Sequence, residues 1–185
     1  KWLDGHMAAI SIAAGTYEER VVLEGFQGGI LDLGVYGKSV TVRGVQVTAS
    51  SLVRINVNIT RSASLSGTPL NVRLGSCVQF GVDITIDGAS GGTSGIVVES
   101  GSNLSALVDI FGYMTKTTVN NCNYYAIYAT GGSKVALGEI AGSGNSTGLQ
   151  VADGAVVSYS SRTMTATTTN VTVSGGRIYS GAQTS

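Results

Sequence analysis

Four twelve-residue segments in the second half of the chain align without a gap: GIVVESGSNLSA from Gly95, AIYATGGSKVAL from Ala126, GLQVADGAVVSY from Gly148 and NVTVSGGRIYSG from Asn170. Their starts lie 31, 22 and 22 residues apart. The second column reads Ile96, Ile127, Leu149, Val171 and the fourth Val98, Ala129, Val151, Val173. That is the period-two pattern of a strand with one buried face. Between them stand Val97, Tyr128, Gln150 and Thr172, with no common chemistry, which marks the outward face. The seventh column is Gly101, Gly132, Gly154, Gly176. One glycine at a fixed place in every repeat predicts a sharp corner that needs positive φ or close backbone approach. A further inward column, Leu104, Val135, Val157, Tyr179, follows the corner. Each repeat therefore reads as strand, glycine corner, strand, then a variable Ser/Thr/Asn/Gly loop.

Matching columns predict an all-β, right-handed parallel β-helix with coils of about 22 residues, because stacking coils in register places similar side chains directly above one another. A β-sandwich also has short strands and many turns, but its strands differ in partner and need not match by column. A fifth copy starts at Pro69, where Leu70, Val72, Gly75 and Val78 fall in the same columns, 26 residues before Gly95. Towards the N-terminus, SVTVRGVQV and LVRINVNIT keep the apolar alternation and read as further coils. AAISIAAGTYEERVVLEGF reads as the opening coil, with a strand through Ile10 and Ile12, a turn at Gly15, and a second strand through Val21 and Leu23. Residues 1–7 are expected to be a helical capping remnant over the first rung. Seven or eight coils at about 4.8 Å each would make a rod roughly 35 to 40 Å long.

The 185 residues suit one domain, 1–185, with 43% hydrophobic and 12% charged residues, 27 Gly and a single Pro. Eleven basic and eleven acidic side chains leave zero formal charge, which removes the electrostatic footprint of a nucleic-acid or anionic-membrane binder. No apolar run approaches the roughly 18 residues of a membrane-spanning helix, so no membrane insertion is expected. Cys77 and Cys122 are too few for a disulfide scaffold, lack partners at metal-site spacing, and read as buried thiols. A neutral surface rich in Ser, Thr and Asn suits extracellular or virion proteins.

The run AISIAAGTYEERVVLEGFQGGILDLGV, followed by coils of the type GIYVxxGSxVxV, resembles the pectate-lyase-like β-helix superfamily, and within it the bacteriophage tail appendage and tailspike proteins. The resemblance spans nearly the whole chain. It implies a homotrimeric virion protein of the phage tail that contacts the host surface. The GTYxE element is shared by lyases and viral fibres alike, so it speaks for the fold rather than the activity.

Polysaccharide-cleaving enzymes of this fold need an acid and a base roughly 5 to 9.5 Å apart on an outward face. Asp83 and Asp87, four positions apart, would share a face of one strand but stand about 13 Å apart. Asp87 precedes Gly88 and reads as a turn residue. Asp109, Glu139 and Asp153 lie on successive coils in different columns and read as solvated charge. No paired-aspartate run or Gly-His-Gly element of the polygalacturonase type is present. KWLDGH is similar to the Trp-x-Asp-His motif of pectate lyases, but Gly5 separates Asp4 from His6, and capping is the better role. No catalytic set, metal site or cofactor is therefore predicted, and Asp83, Asp87 and Asp109 are the carboxylates that come nearest to one. Tyr124 and Tyr128 alternate with Tyr125 and Ile127, so the first pair is expected outward and Tyr125 inward. With Val97 they are candidates for contact with a neighbouring subunit or a carbohydrate. Asn120, Asn121 and Asn123 are expected at a corner, where amide side chains bond the backbone.

The expected function is a non-enzymatic structural and host-recognition module of a bacteriophage tail fibre or appendage, with host surface polysaccharide as a partner. The alternatives are a polysaccharide-degrading β-helix enzyme, either a tailspike depolymerase or pectate-lyase-like, and a secreted carbohydrate-binding adhesin domain. After Tyr179 the final coil stops within GAQTS with no capping helix, so the chain is expected to be a fragment of a longer protein that assembles as a homotrimer.

Overall fold

Alternation of apolar and polar residues becomes strand along nearly the whole chain. The computed structural model describes residues 2–61, 67–91, 93–109 and 111–181. Its strands are β1 (Met7–Ile10), β2 (Gly15–Glu24), β3 (Ile30–Leu33), β4 (Val40–Thr48), β5 (Val53–Ile55) and β6 (Asn58–Thr60). Then follow β7 (Leu70–Arg73), β8 (Cys77–Phe80), β9 (Ile84–Asp87), β10 (Ile96–Val98), β11 (Asn103–Ala106) and β12 (Lys116–Asn120). The last six are β13 (Tyr125–Ala129), β14 (Lys134–Ala141), β15 (Asn145–Val151), β16 (Val156–Arg162), β17 (Ala166–Thr172) and β18 (Arg177–Ser180). All the pairings between them are parallel and stack the chain into a β-solenoid of about 7 turns with roughly 24-residue spacing.

The coils have three faces. The first is the ladder β1, β3, β5, β8, β11, β14, β16, β18. The second takes the start of β2 and of β4, then β6, β9, β12 and the ends of β14 and β16. The third takes the end of β2 and of β4, then β7, β10, β13, β15 and β17. The strand–corner–strand unit of the repeats is the passage from third face to first. What read as a variable loop contains the second face, whose strands are short and carry buried Thr, as Thr117 in β12.

The columns run through the core. Leu70, Ile96, Ile127 and Leu149 are paired in succession and wholly buried, as are Val72, Val98, Ala129 and Val151. Val78, Leu104, Val135 and Val157 form the column beyond the corner. At the corner, Gly75, Gly101, Gly132 and Gly154 all have φ between +69° and +72°, and each follows a residue that is itself left-handed. Two successive positive φ values turn the chain sharply within two residues, from one face to the next. The next position, Ser76, Ser102 and Ser133, is fully buried, with the Ser76 and Ser133 hydroxyls donating to the Arg73 and Thr130 carbonyls.

Cys77, expected to be buried, is only half-buried, unlike Cys122, and the structure departs from expectation at both ends of the chain. The final coil is displaced by one residue: Leu149 pairs with Asn170, Val151 with Thr172, and Val157 with Ile178, a spacing of 21. Gly175, at φ +79°, takes the corner place instead of Gly176, so Ile178 packs on the core while Val173 and Tyr179 are exposed. Val171 then joins the outward column beside Gln150. Near the N-terminus there is no helix among the described residues. Trp2 forms a parallel bridge with Gln27, Asp4 and Gly5 turn the chain at φ +50° and +76°, and β1 begins at Met7. Two positive φ values in sequence are incompatible with a right-handed helix. Lys1 and residues 182–185 lie outside the described residues.

Candidate functional site

Loop length at the corner between the first and second faces decides where a site can form. Between β5 and β6, and between β8 and β9, the corner takes only two or three residues. Between β3 and β4, and between β11 and β12, it lengthens into loops at 34–39 and 107–115. These two loops belong to coils on either side of the two tight corners. They form the walls of a cleft of about 510 Å³ whose floor includes Asn56, Asn58, Val82 and Asp83. Tyr36 from one loop meets Phe111 from the other edge-on, with ring centroids 5.0 Å apart.

The described residues of the 107–115 loop form a small hairpin organised by Asp109. Its Oδ1 accepts the backbone N–H groups of Phe111 at 2.8 Å and Tyr113 at 2.9 Å, while the Asp109 N–H donates to the Tyr113 carbonyl at 2.8 Å. Val108 and Met114 form an antiparallel bridge, and the Thr115 hydroxyl donates to the Ala106 carbonyl. The base of the hairpin presses on Gly138 of the next coil, where a Cβ would lie 2.5 Å from the Thr115 carbonyl oxygen. The hairpin leaves Phe111, Tyr113 and Met114 prominently exposed, Tyr113 at 73%.

The structure brings Asp83 and Asp109 into one cleft and leaves Asp87 out of it. Asp83 precedes β9, and its Oδ1 accepts the Lys116 N–H at 2.7 Å. At the other end of β9, Asp87 accepts the Ala89 N–H at 2.7 Å, the geometry of an Asx turn, and is bonded by the Asn121 amide. All three carboxylates therefore hold backbone N–H groups in place. Glu139 pairs with Lys116 at 2.9 Å, and Asp153 accepts the Thr130 hydroxyl at 2.8 Å in the left-handed corner. Among the described residues no cluster of three or more His, Cys, Asp or Glu is placed to hold a metal ion.

A second feature lies on the outer side of the third face. Tyr124 is 58% exposed, and Tyr128 is half-buried and paired directly with Val97. Tyr125 is not inward. Ala126 and Ile127 are both buried in sequence, so alternation breaks at this corner and Tyr125 joins its neighbours outside. Its ring lies 6.4 Å from Tyr124 and 5.4 Å from Tyr128. The break occurs at a column of small residues, Gly95, Ala126, Gly148; a Cβ at Gly95 would lie 2.8 Å from the Ala126 carbonyl oxygen. The preceding asparagines hold the corner, Asn120 accepting the Ser143 N–H and Asn123 donating to the Ser90 carbonyl.

The cleft was missed in the sequence because its residues come from four coils. One signal pointed to it: the 31-residue spacing between Gly95 and Ala126, against 22 for the next copy, leaves room for the hairpin. No protein-family description, curated protein or solved structure matches the chain.

Proposed function

We propose that this chain is a non-enzymatic structural and surface-recognition module of an extracellular fibre, of the bacteriophage tail appendage type, assembled as a homotrimer and directed at host surface polysaccharide. The observation that carries the reading is the group of three outward tyrosines, Tyr124, Tyr125 and Tyr128, standing beside Val97 on the flank of a stacked solenoid. Aromatic rings with polar tips gain from burial against another surface while keeping a hydrogen bond at the rim. The engagement of Asp83, Asp87 and Asp109 by backbone N–H groups supports a structural use of the carboxylates. The resemblance of the GTYEE region to tail proteins supports the virion setting, and a secreted adhesin would use the same flank. Sedimentation of the isolated chain tests the assembly: a trimer weakened by Tyr124→Ala with Tyr128→Ala is expected, and a stable monomer at high micromolar concentration would refute trimerisation by this segment.

One observation favours a second reading, a polysaccharide depolymerase: Asp83 and Asp109 line the same cleft. Reducing-sugar and unsaturated-product assays on pectin, alginate and capsular polysaccharides separate the two. Background signal is expected, and turnover abolished by Asp83→Asn or Asp109→Asn would establish the enzyme.

A further inference from the structure

We infer that the cleft between the 34–39 loop and the 107–115 hairpin is a binding site for a short segment of uncharged glycan, with Tyr113 as its stacking platform. The inference rests on the recognition reading above and names its ligand class and place. Its volume, about 510 Å³, falls within the range of roughly 300–1,000 Å³ typical of small-ligand sites.

The chemistry of the lining is that of a sugar face and a sugar edge together. Tyr36 and Tyr113 offer flat apolar rings for the C–H face of a pyranose. Asn56, Asn58, Asp83 and Asp109 place amide and carboxylate groups around the same space, and such groups donate to and accept from hydroxyls. The lining carries two carboxylates, Asp83 and Asp109, and one basic residue, Lys38, so it is on balance negative and disfavours uronate, sialate or phosphate-bearing chains.

The site is also pre-organised. Phe111 braces against Tyr36, Asp109 ties down two amides of the hairpin, and Gly138 seats its base. Phe111 thus has a role within the fold. Tyr113, the more exposed of the two rings, is tied at its backbone to Asp109 through both its N–H and its carbonyl. Holding a binding loop in its bound form lowers the entropy lost on association.

Saturation-transfer NMR and calorimetry on the folded chain test this, with the β-1,4-linked disaccharides of glucose and N-acetylglucosamine as neutral probes and digalacturonate as the anionic one. Neutral probes are expected to bind, with digalacturonate about tenfold weaker or more. Tyr113→Ala should weaken neutral binding by about three- to tenfold, while Tyr113→Phe, which keeps the ring, should restore it. Tyr113 is exposed, so these variants should leave the fold intact, which amide spectra check directly. Binding that survives Tyr113→Ala but is lost in Tyr124→Ala overturns the cleft and leaves the recognition reading standing. Equal or tighter binding of digalacturonate overturns the ligand class, and no response to any probe at about 10 mM overturns the site together with glycan recognition.

Discussion

At the scale of single residues, adjacent positions on one strand have opposite fates. Val151 is wholly buried, paired with Ala129 on one side and Thr172 on the other, whereas Gln150 faces outward between Tyr128 and Val171. Val151→Asp would bury an unpaired carboxylate and is expected to cost about 3 kcal/mol or more, and Gln150→Asp under about 0.5 kcal/mol. Urea denaturation midpoints read both, and equal midpoints would contradict the register. Cys122 makes a different kind of statement. Burial, reinforced by the charge of Asp87 and opposed by a hydrogen bond from the Gly88 backbone, pushes its thiol up to about 12. An unfolded thiol ionises near about 8.5. Above that value the unfolded chain releases a proton that the folded chain retains, so stability should fall as pH rises towards 12, by up to about 1.4 kcal/mol per pH unit from this group. Unfolding free energies measured from pH 8 to 11 should show a slope that Cys122→Ala reduces; identical slopes would remove Cys122 as its cause.

At the scale of elements, the corners do different work. Gly154 sits at φ +72° with open space where a Cβ would be, so Gly154→Ala should cost about 1 kcal/mol, from the backbone conformation alone. Gly142 sits at φ +138°, and a Cβ there would lie 1.9 Å from the Val119 carbonyl oxygen, so Gly142→Ala should cost about 3 kcal/mol or more. Thermal midpoints of the two variants rank them, and a larger loss at Gly154 would refute the assignment. The glycine corner was legible because one backbone requirement recurs in every coil. In the later coils the second face was not, since its strands there hide among polar residues: KTTVN carries Val119 as its only aliphatic residue, with Thr117 fully buried beside it. The inward place expected for Tyr125 failed for a related reason, since period two holds within a strand but not through a corner.

At the scale of the molecule, a stack of coils is stabilised chiefly through its neighbours, so protection should vary along it. Inward side chains of β5, β7, β8 and β10 are almost wholly buried, while β1, β17 and β18 keep theirs exposed or half-exposed. Amide hydrogen exchange in the isolated chain is expected to be slowest in β5 to β13 and fastest in β1, β17 and β18. Uniform protection would mean that the stack opens only as a unit.

The sequence by itself determined the parallel stack, its inward columns and its glycine corner, because each is a local requirement repeated from coil to coil: alternation sets in and out, and positive φ selects glycine. Only the tertiary structure decided the register of the last coil, where a spacing of 21 in place of 22 moves Gly175 into the corner and turns Ile178 inward. It alone also decided the cleft. Tyr36, Asn58, Asp83 and Tyr113 are remote in sequence and carry no shared pattern. They meet because two long corners flank two short ones on the same edge of the stack, and the length of a corner acts on function only once the coils are laid one upon another.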